Sequence, residues 1–361
     1  MPREPRPVLI AAGGTGGHVY PGLAVAAALR SHDVPVVWMG TRKGLEARVV
    51  PAAGIPIAWL SVTGLRGKGI ATRLLAPFRL LRALTQALAV MLRHRPCAVL
   101  GMGGFVAGPA GLMAVLTGRP LLIHEQNAVA GLTNRVLARI ARRVFTGFPN
   151  ALPGEEMVGN PVRVDIAALP HPEARFAGRT GALRLLVVGG SLGAKALNET
   201  VPAALAETAR QGGGFIVRHQ AGKHDLAPIR AAYEAAGVQG EVSEYIEDMA
   251  EAYGWADVVI CRAGALTLAE LCAAGLGSVL VPYPYAVDDH QTVNARHLVS
   301  AGAAVLMPQT ALSPSALGAA LMDLSDRERL SKMAAAARGL AHTDAAEKVA
   351  SACLEFCRRV A

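Results

Sequence analysis

Short apolar runs that end in glycine turns recur through both halves of this chain, and that recurrence most restricts its fold. Residues 8–12 run into Gly13-Gly-Thr-Gly-Gly-His18, residues 98–101 into Met102-Gly-Gly-Phe105, and residues 185–188 into Gly189-Gly-Ser-Leu-Gly-Ala-Lys195. A brief apolar run without alternation reads as a strand buried on both faces. Further runs at 34–39, 120–123, 215–219, 241–245, 257–261, 278–281 and 304–307 read the same way. Helix-forming segments separate many of them, and Pro21 stands where the first helix can begin. Strands alternating with helices predict an α/β chain with parallel, doubly wound sheets, whose ligands sit at the carboxyl ends of the strands. A length of 361 residues suggests two such domains.

The densest chemistry lies between Cys261 and Asn294. A buried strand turns at Gly264 into a helix over 267–274, which Gly275 is placed to end. A sharp strand-to-helix turn gathers unpaired N–H groups and favours an anion. Glu270, one helical turn after Thr267, suits a sugar's hydroxyl pair. The same Thr267-x-x-Glu270 spacing also fits a capping box, and the local pattern does not decide between them.

None of the glycine loops is a dinucleotide fingerprint. Val19 and Val106 occupy the positions of the third glycine, and no acid ends the second strand, where Met39-Gly40-Thr41 stands. The loop 189–195 has Ala194 and Ala196 where a P-loop needs Gly and Ser or Thr. Three such loops after strands point instead to close backbone approach to diphosphates. Neither the adjacent Asp288-Asp289 nor any His/Cys grouping has metal-ligand spacing, so no metal and no cofactor is expected.

Charge is divided unevenly. Residues 1–162 carry 18 Lys+Arg against 6 Asp+Glu, the remainder 18 against 21, so the net +9 belongs to the first half. That half should face something anionic. Nucleic acid is disfavoured by the low aromatic content and the lack of a recognition motif. A phospholipid surface fits better: Ile70, Leu74, Leu75, Phe78, Leu81 and Leu88 recur at helical spacing, edged by Arg66, Lys68, Arg73, Arg79 and Arg82, with Pro77 breaking or kinking the helix. The stripe would equally serve to pack on a sheet. Residues 96–118 are uncharged, but their glycines favour a strand, loop and helix over a membrane span. Met1 to Pro7 does not read as a signal peptide. Five cysteines without CxxC or paired spacing point to a reducing compartment, with Cys353 and Cys357 as core residues of a last helix.

In order along the chain, these motifs resemble the MurG family. These family-28 glycosyltransferases transfer N-acetylglucosamine from UDP to undecaprenyl-pyrophosphoryl-N-acetylmuramoyl-pentapeptide (lipid I) in peptidoglycan synthesis. The resemblance spans nearly the whole chain. It rests on Gly13–His18, Gly101–Pro109, His124-Glu-Gln-Asn127, Gly159-Asn-Pro-Val-Arg163, Gly189–Ala194, Cys261–Thr267, Glu270 and Asp289-His-Gln-Thr-Val-Asn294. It implies a GT-B fold of two Rossmann-like, doubly wound domains facing a central cleft. Residues 1–162 would take lipid I and face the membrane, with a last helix, 343–361, returning to them, and 163–342 would hold the donor. It also implies an inverting, metal-independent enzyme at the cytoplasmic face of the bacterial inner membrane, with cell-wall synthesis proteins as further partners.

Carried over by position, the resemblance places Arg163 and Ser191 on the UDP phosphates and Ile246 on uracil through its backbone. Ala265, Leu266 and Thr267 would approach the nucleotide, Glu270 the ribose, and Gln291 and Asn294 the sugar hydroxyls. Asn127 and the loop Thr15, Gly16 and Gly17 would face both sugars. Gly13, Gly14, Gly103 and Gly104 would hold the lipid I diphosphate. Phe105 and Ala107 depart from the family's usual Tyr and frequent Ser. For the base that takes the acceptor's proton, His18 comes first, since imidazole titrates near neutrality, and Glu125 second. The plainer roles are phosphate contact or helix capping for His18 and an ion pair for Glu125. A UDP-GlcNAc 2-epimerase of the same fold and a non-catalytic nucleotide-sugar sensor at the membrane are the competing readings.

Overall fold

The structure, a computed structural model, describes residues 5–62, 76–190 and 193–358. Ile70, Arg73, Leu74, Leu75 and Ser191 lie outside them. The chain forms two compact units, one of residues 1–163 with 342–361 and one of 164–341.

The first unit holds a seven-stranded sheet. Its strands are β1 (Val8–Ala11), β2 (Val36–Gly40), β3 (Ile57–Trp59), β4 (Ala98–Gly101), β5 (Leu121–Glu125), β6 (Arg143–Thr146) and β7 (Glu156–Met157), in the order β3-β2-β1-β4-β5-β6-β7. Every pairing is parallel. The second unit repeats the plan with β8 (Leu183–Val188), β9 (Phe215–Gln220), β10 (Gln239–Ser243), β11 (Val258–Cys261), β12 (Gly277–Leu280) and β13 (Ala304–Leu306), in the order β10-β9-β8-β11-β12-β13, again all parallel. Strand order therefore reverses between β1 and β4 and between β8 and β11. In an open parallel sheet, the space beyond the carboxyl ends of such a strand pair admits a ligand.

The central strands are buried along their whole length, as continuous apolar runs require. Three strands escape the sequence pattern. β3 is only three residues long, β6 opens on an arginine, and β7 is two exposed residues. The first helix runs Gly16–Ser31 and encloses Pro21, so it begins five residues before the proline. Its first turn is thereby built from the glycine loop itself. Pro77 is the second residue of the described helix Ala76–His94, and the residues before Ala76, on which its effect on the helix depends, lie outside the described ones. That helix packs through Ala83, Ala87 and Met91, while Phe78 and Leu81 remain exposed.

The last helix, Ala345–Arg358, places Val349, Cys353 and Leu354 in the first unit's core beside Ile10, Leu29 and Trp38. The expectation that the thiols stay reduced needs a correction here. Cys97, just before β4, and Cys357 form a disulfide across 260 residues of sequence, a pairing that no local spacing reveals.

Each unit buries one neutral histidine. His124 on β5 meets the Gly159 carbonyl at 2.9 Å. His219 on β9 lies 2.9 Å from the Tyr233 hydroxyl and 3.1 Å from Asn198 Oδ1. Burial lowers both to about 4. For His124 the Gly159 bond and the Glu125 charge offset only part of that, and His18 lowers it further. The unfolded chain takes up these protons near pH 6.5 and the folded chain does not, so stability is complete above pH 6.5 and falls toward pH 4. Between pH 7 and pH 5 each histidine should cost its unit about 2 kcal/mol, read as lower urea midpoints. A loss under about 1 kcal/mol per unit would show that the two rings charge in place.

Candidate active site

Four helices start where strand order reverses: Gly16–Ser31 after β1, Gly104–Leu116 after β4, Lys195–Arg210 after β8 and Ala265–Ala274 after β11. Their N-caps are Thr15, Gly103, Ala194 and Gly264. None makes a side-chain capping bond, and none of the four first turns holds an acid. The first N–H groups of a helix have no partner within it, so each start presents uncompensated positive dipole to an anion. With its N-cap at Gly264, the last of these helices also excludes the Thr267–Glu270 capping box.

A carboxylate that sequence reasoning missed holds the first glycine loop. Glu46 is fully buried and accepts hydrogen bonds from the N–H groups of Gly14 (3.0 Å) and Thr41 (2.8 Å) and from the Thr41 hydroxyl (2.7 Å). A Cβ on Gly13 would lie 2.6 Å from its Oε1. The Gly14 N–H, expected on a diphosphate, therefore turns inward. What the loop presents outward is the helix start at Gly16 and Gly17. The local signal was an acid six residues after β2, in a region nearly free of acids.

The second glycine loop packs on the first and on His18. A Cβ on Gly104 would come 2.5 Å from the Gly13 carbonyl, and one on Gly103 would come 2.9 Å from His18 Cε1 and Nδ1. Both residues have positive φ, +97° for Gly103 and +75° for Gly104, so only glycine fits without strain. Phe105 is exposed and Ala107 buried, so of the two departures from the family only Phe105 removes a hydroxyl from the surface.

His18 Nδ1 lies 2.8 Å from Gln126 Oε1, and Gln126 Nε2 lies 3.1 Å from His124 Nδ1. Glu125, between the two, is 2% exposed. Its carboxylate accepts from the Asn127 N–H (3.1 Å), Asn127 Nδ2 (3.3 Å), the Gly131 N–H (3.1 Å) and Asn134 Nδ2 (2.9 Å). Four donors converge on it, and they fix the turn that carries Asn127. Arg163 stacks on Tyr20, its guanidinium 5.9 Å from the ring centre.

In the second unit, Gly189 and Gly193 press on the end of β9. A Cβ on Gly189 would lie 2.9 Å from the Gln220 carbonyl, and one on Gly193 would overlap the Ala221 carbonyl. Asn198 Nδ2 donates to that same Ala221 carbonyl at 3.1 Å. Ala265, Leu266 and Thr267 form the first turn of the helix that carries Glu270, whose Oε2 accepts from the Tyr253 hydroxyl at 3.1 Å. Half-buried Ile246 lies two residues before Asp248, which caps the helix Met249–Trp255. Gln291 accepts the Tyr283 N–H at 2.9 Å through its amide oxygen. Asn294 is fully buried and donates to the Ala263 carbonyl at 3.3 Å. Arg262, also missed in the sequence, ties the strand-to-loop corner by donating to the carbonyls of Val281 and Pro282 and to Gln309 Oε1.

Among the described residues no group of three His, Cys, Asp or Glu is arranged to hold a metal ion, and no helix is long and apolar enough to cross a membrane. The model of the glycosyltransferase family 28 N-terminal domain matches residues 8–146 and that of the family 28 C-terminal domain residues 184–349. A relative from Alkalilimnicola ehrlichii is 62% identical over 98% of this chain and 99% of its own. One from Halorhodospira halophila is 58% identical over 97% and 98%. Both are UDP-N-acetylglucosamine–N-acetylmuramyl-(pentapeptide) pyrophosphoryl-undecaprenol N-acetylglucosamine transferases. The crystal structure of Acinetobacter baumannii MurG superposes with a TM-score of 0.84 at 41% identity, covering 97% of this chain and 100% of that one. Full-length identity at this level, on two parallel sheets with the family's motifs at their switch points, places the chain in glycosyltransferase family 28, in its MurG branch.

Proposed function

We propose that this chain moves N-acetylglucosamine from UDP to the C4 hydroxyl of the N-acetylmuramoyl residue in lipid I, forming the β1,4-linked product with inversion. The observation that carries this reading is the match, at 62% identity over 98% of the chain, to a transferase of that name. In the reaction the C4 oxygen bonds to the anomeric carbon, and the bond from that carbon to UDP breaks with its electron pair on the diphosphate. The hydroxyl proton passes to His18. The second unit holds the donor, with Glu270 taking the ribose, the helix start at Ala265 to Thr267 facing the phosphates, and Gln291 the sugar. Ile246 offers backbone to the uracil. Asn294 acts by holding the turn at Ala263 in place. The first unit takes the acceptor, its diphosphate lying at the helix starts of Gly16 and Gly104. Glu125 holds Asn127 in position.

The substrate's lipid demands a surface. Phe78 and Leu81 are exposed on the helix Ala76–His94 beside exposed Arg79 and Arg82. On the next helices Leu116, Leu132 and Val136 are exposed as well. Apolar side chains edged by arginine suit an anionic bilayer interface, which would place the protein peripherally on the inner membrane's cytoplasmic face.

Three outcomes test this reading. With radiolabelled UDP-GlcNAc and a short-chain lipid I analogue, label should pass to the lipid, and His18→Ala should lower kcat roughly a hundredfold or more. Free UDP-ManNAc instead of labelled lipid would mean an epimerase, and donor binding without turnover a sensor. Glu46→Ala should unseat the first glycine loop and raise the KM for the acceptor more than that for UDP-GlcNAc; equal effects on both would deny it a role at the acceptor. Phe78→Glu with Leu81→Glu should weaken binding to vesicles containing phosphatidylglycerol by about 2 kcal/mol, roughly thirtyfold. Undiminished binding would move the membrane contact elsewhere.

A further inference from the structure

Two side chains, Gln126 and His124, link His18 to the buried Gly159 carbonyl, and the link has a direction. The Gly159 carbonyl can only accept, so the His124 nitrogen facing it at 2.9 Å, Nε2, carries a proton. Burial holds His124 neutral, so its Nδ1 is a bare lone pair. Gln126 Nε2 donates to that lone pair and to the His124 carbonyl, each at 3.1 Å. Two accept-only atoms thus fix which way the Gln126 amide points. Its Oε1 is left facing His18 Nδ1 at 2.8 Å, and an amide oxygen also only accepts.

We infer that Gln126, oriented by His124, sets the tautomer of His18: Nδ1 keeps the proton and Nε2 is left as the basic lone pair. Gln126 is a positioning residue, as is His124 behind it; neither touches the substrate. Gln126 is 1% exposed and His124 fully buried, so water does not compete for these bonds. The ring is clamped as well, because Gly103 leaves no room for a side chain against Cε1 and Nδ1. A free neutral imidazole prefers the opposite tautomer, with its proton on Nε2. A base in that form would offer its lone pair on the wrong side. The inference rests on the reading of His18 as the base, but the tautomer can be measured apart from it.

Nitrogen-15 spectra of the full-length protein labelled at histidine test the proposal, with the His18 signals identified by their loss in His18→Gln. The wild-type protein should show a protonated Nδ1 and a bare Nε2 at His18 near pH 8. In Gln126→Leu the proton should move to Nε2. There kcat should fall roughly tenfold or more, while the KM for UDP-GlcNAc stays within about twofold. A wild-type His18 protonated at Nε2 overturns the inference without any variant, and so does an unchanged tautomer in Gln126→Leu. If the tautomer behaves as stated yet His18→Ala keeps its turnover, the orientation by Gln126 stands and the assignment of His18 as base fails. Gln126→Glu gives a second arm. It should keep the Nδ1 proton and shift the acid limb of the kcat profile to higher pH, because a carboxylate beside the ring favours the imidazolium. An unmoved acid limb counts against the contact.

Discussion

Where a strand leaves a parallel sheet, its successor N–H groups lose the ladder and need other acceptors. The shape of every loop at this site depends on how that need is met. In the first unit two buried carboxylates meet it. Glu46 takes the N–H groups of Gly14 and Thr41, joining the ends of β1 and β2. Glu125 takes those of Asn127 and Gly131, closing the turn after β5. A buried carboxylate is costly unless its donors are in place, so each works only with its loop correctly folded. That coupling fixes the shape of both loops. It also explains why half the chain can be so short of acids while these two acids lie at its centre.

The second unit instead secures loop carbonyls, with neutral amides as donors, and places arginines at the far end of the helix that carries Glu270. Asn198 and Asn294 bond the Ala221 and Ala263 carbonyls. The helix Ala265–Ala274 is secured at its C-terminus, where Arg175 donates to the Ala274 and Gly275 carbonyls and Arg338 to that of Ala273. Gly275 closes the helix in the left-handed conformation, with φ at 61°. Burial and the neighbouring Arg179 and Arg338 charges lower Arg175 to about 10, which still leaves it a cation at neutral pH. Cations at the C-terminus complement the helix dipole, while the N-terminus stays uncapped. The end left uncompensated is the one with Ala265, Leu266 and Thr267.

The repeated strand–glycine–helix plan was legible because doubly buried strands need continuous apolar runs, and both sheets formed from them. The edges were not, since β3, β6 and β7 are too short or too polar to carry that signal. The start of the first helix was misjudged because Pro21 resembles an opening residue, whereas the glycine loop itself supplies the first turn. At the site, positions on loops and helix starts could be named from motifs. Their supports could not: Glu46, Gln126 and Arg262 act across 5 to 108 residues of sequence, and only the folded chain brings them to their partners. The Cys97–Cys357 bond was hidden for the same reason.

The two candidate bases are separated by what occupies their lone pairs. A general base needs one that is free and directed at the proton it takes. The Glu125 carboxylate receives four N–H donors from Asn127, Gly131 and Asn134, and a proton arriving there would have to displace one and loosen the turn. His18 is the opposite case. Its contact with Gln126 uses a nitrogen that acts as donor, which leaves the second nitrogen as acceptor on a half-buried ring. Taking up a proton there breaks no bond that the loop depends on. The Gln126 oxygen would accept more strongly from an imidazolium than from a neutral ring. With His18 as the base, the contact that orients the ring would also stabilise the charge that develops on it, and this is the ground on which His18 is proposed over Glu125.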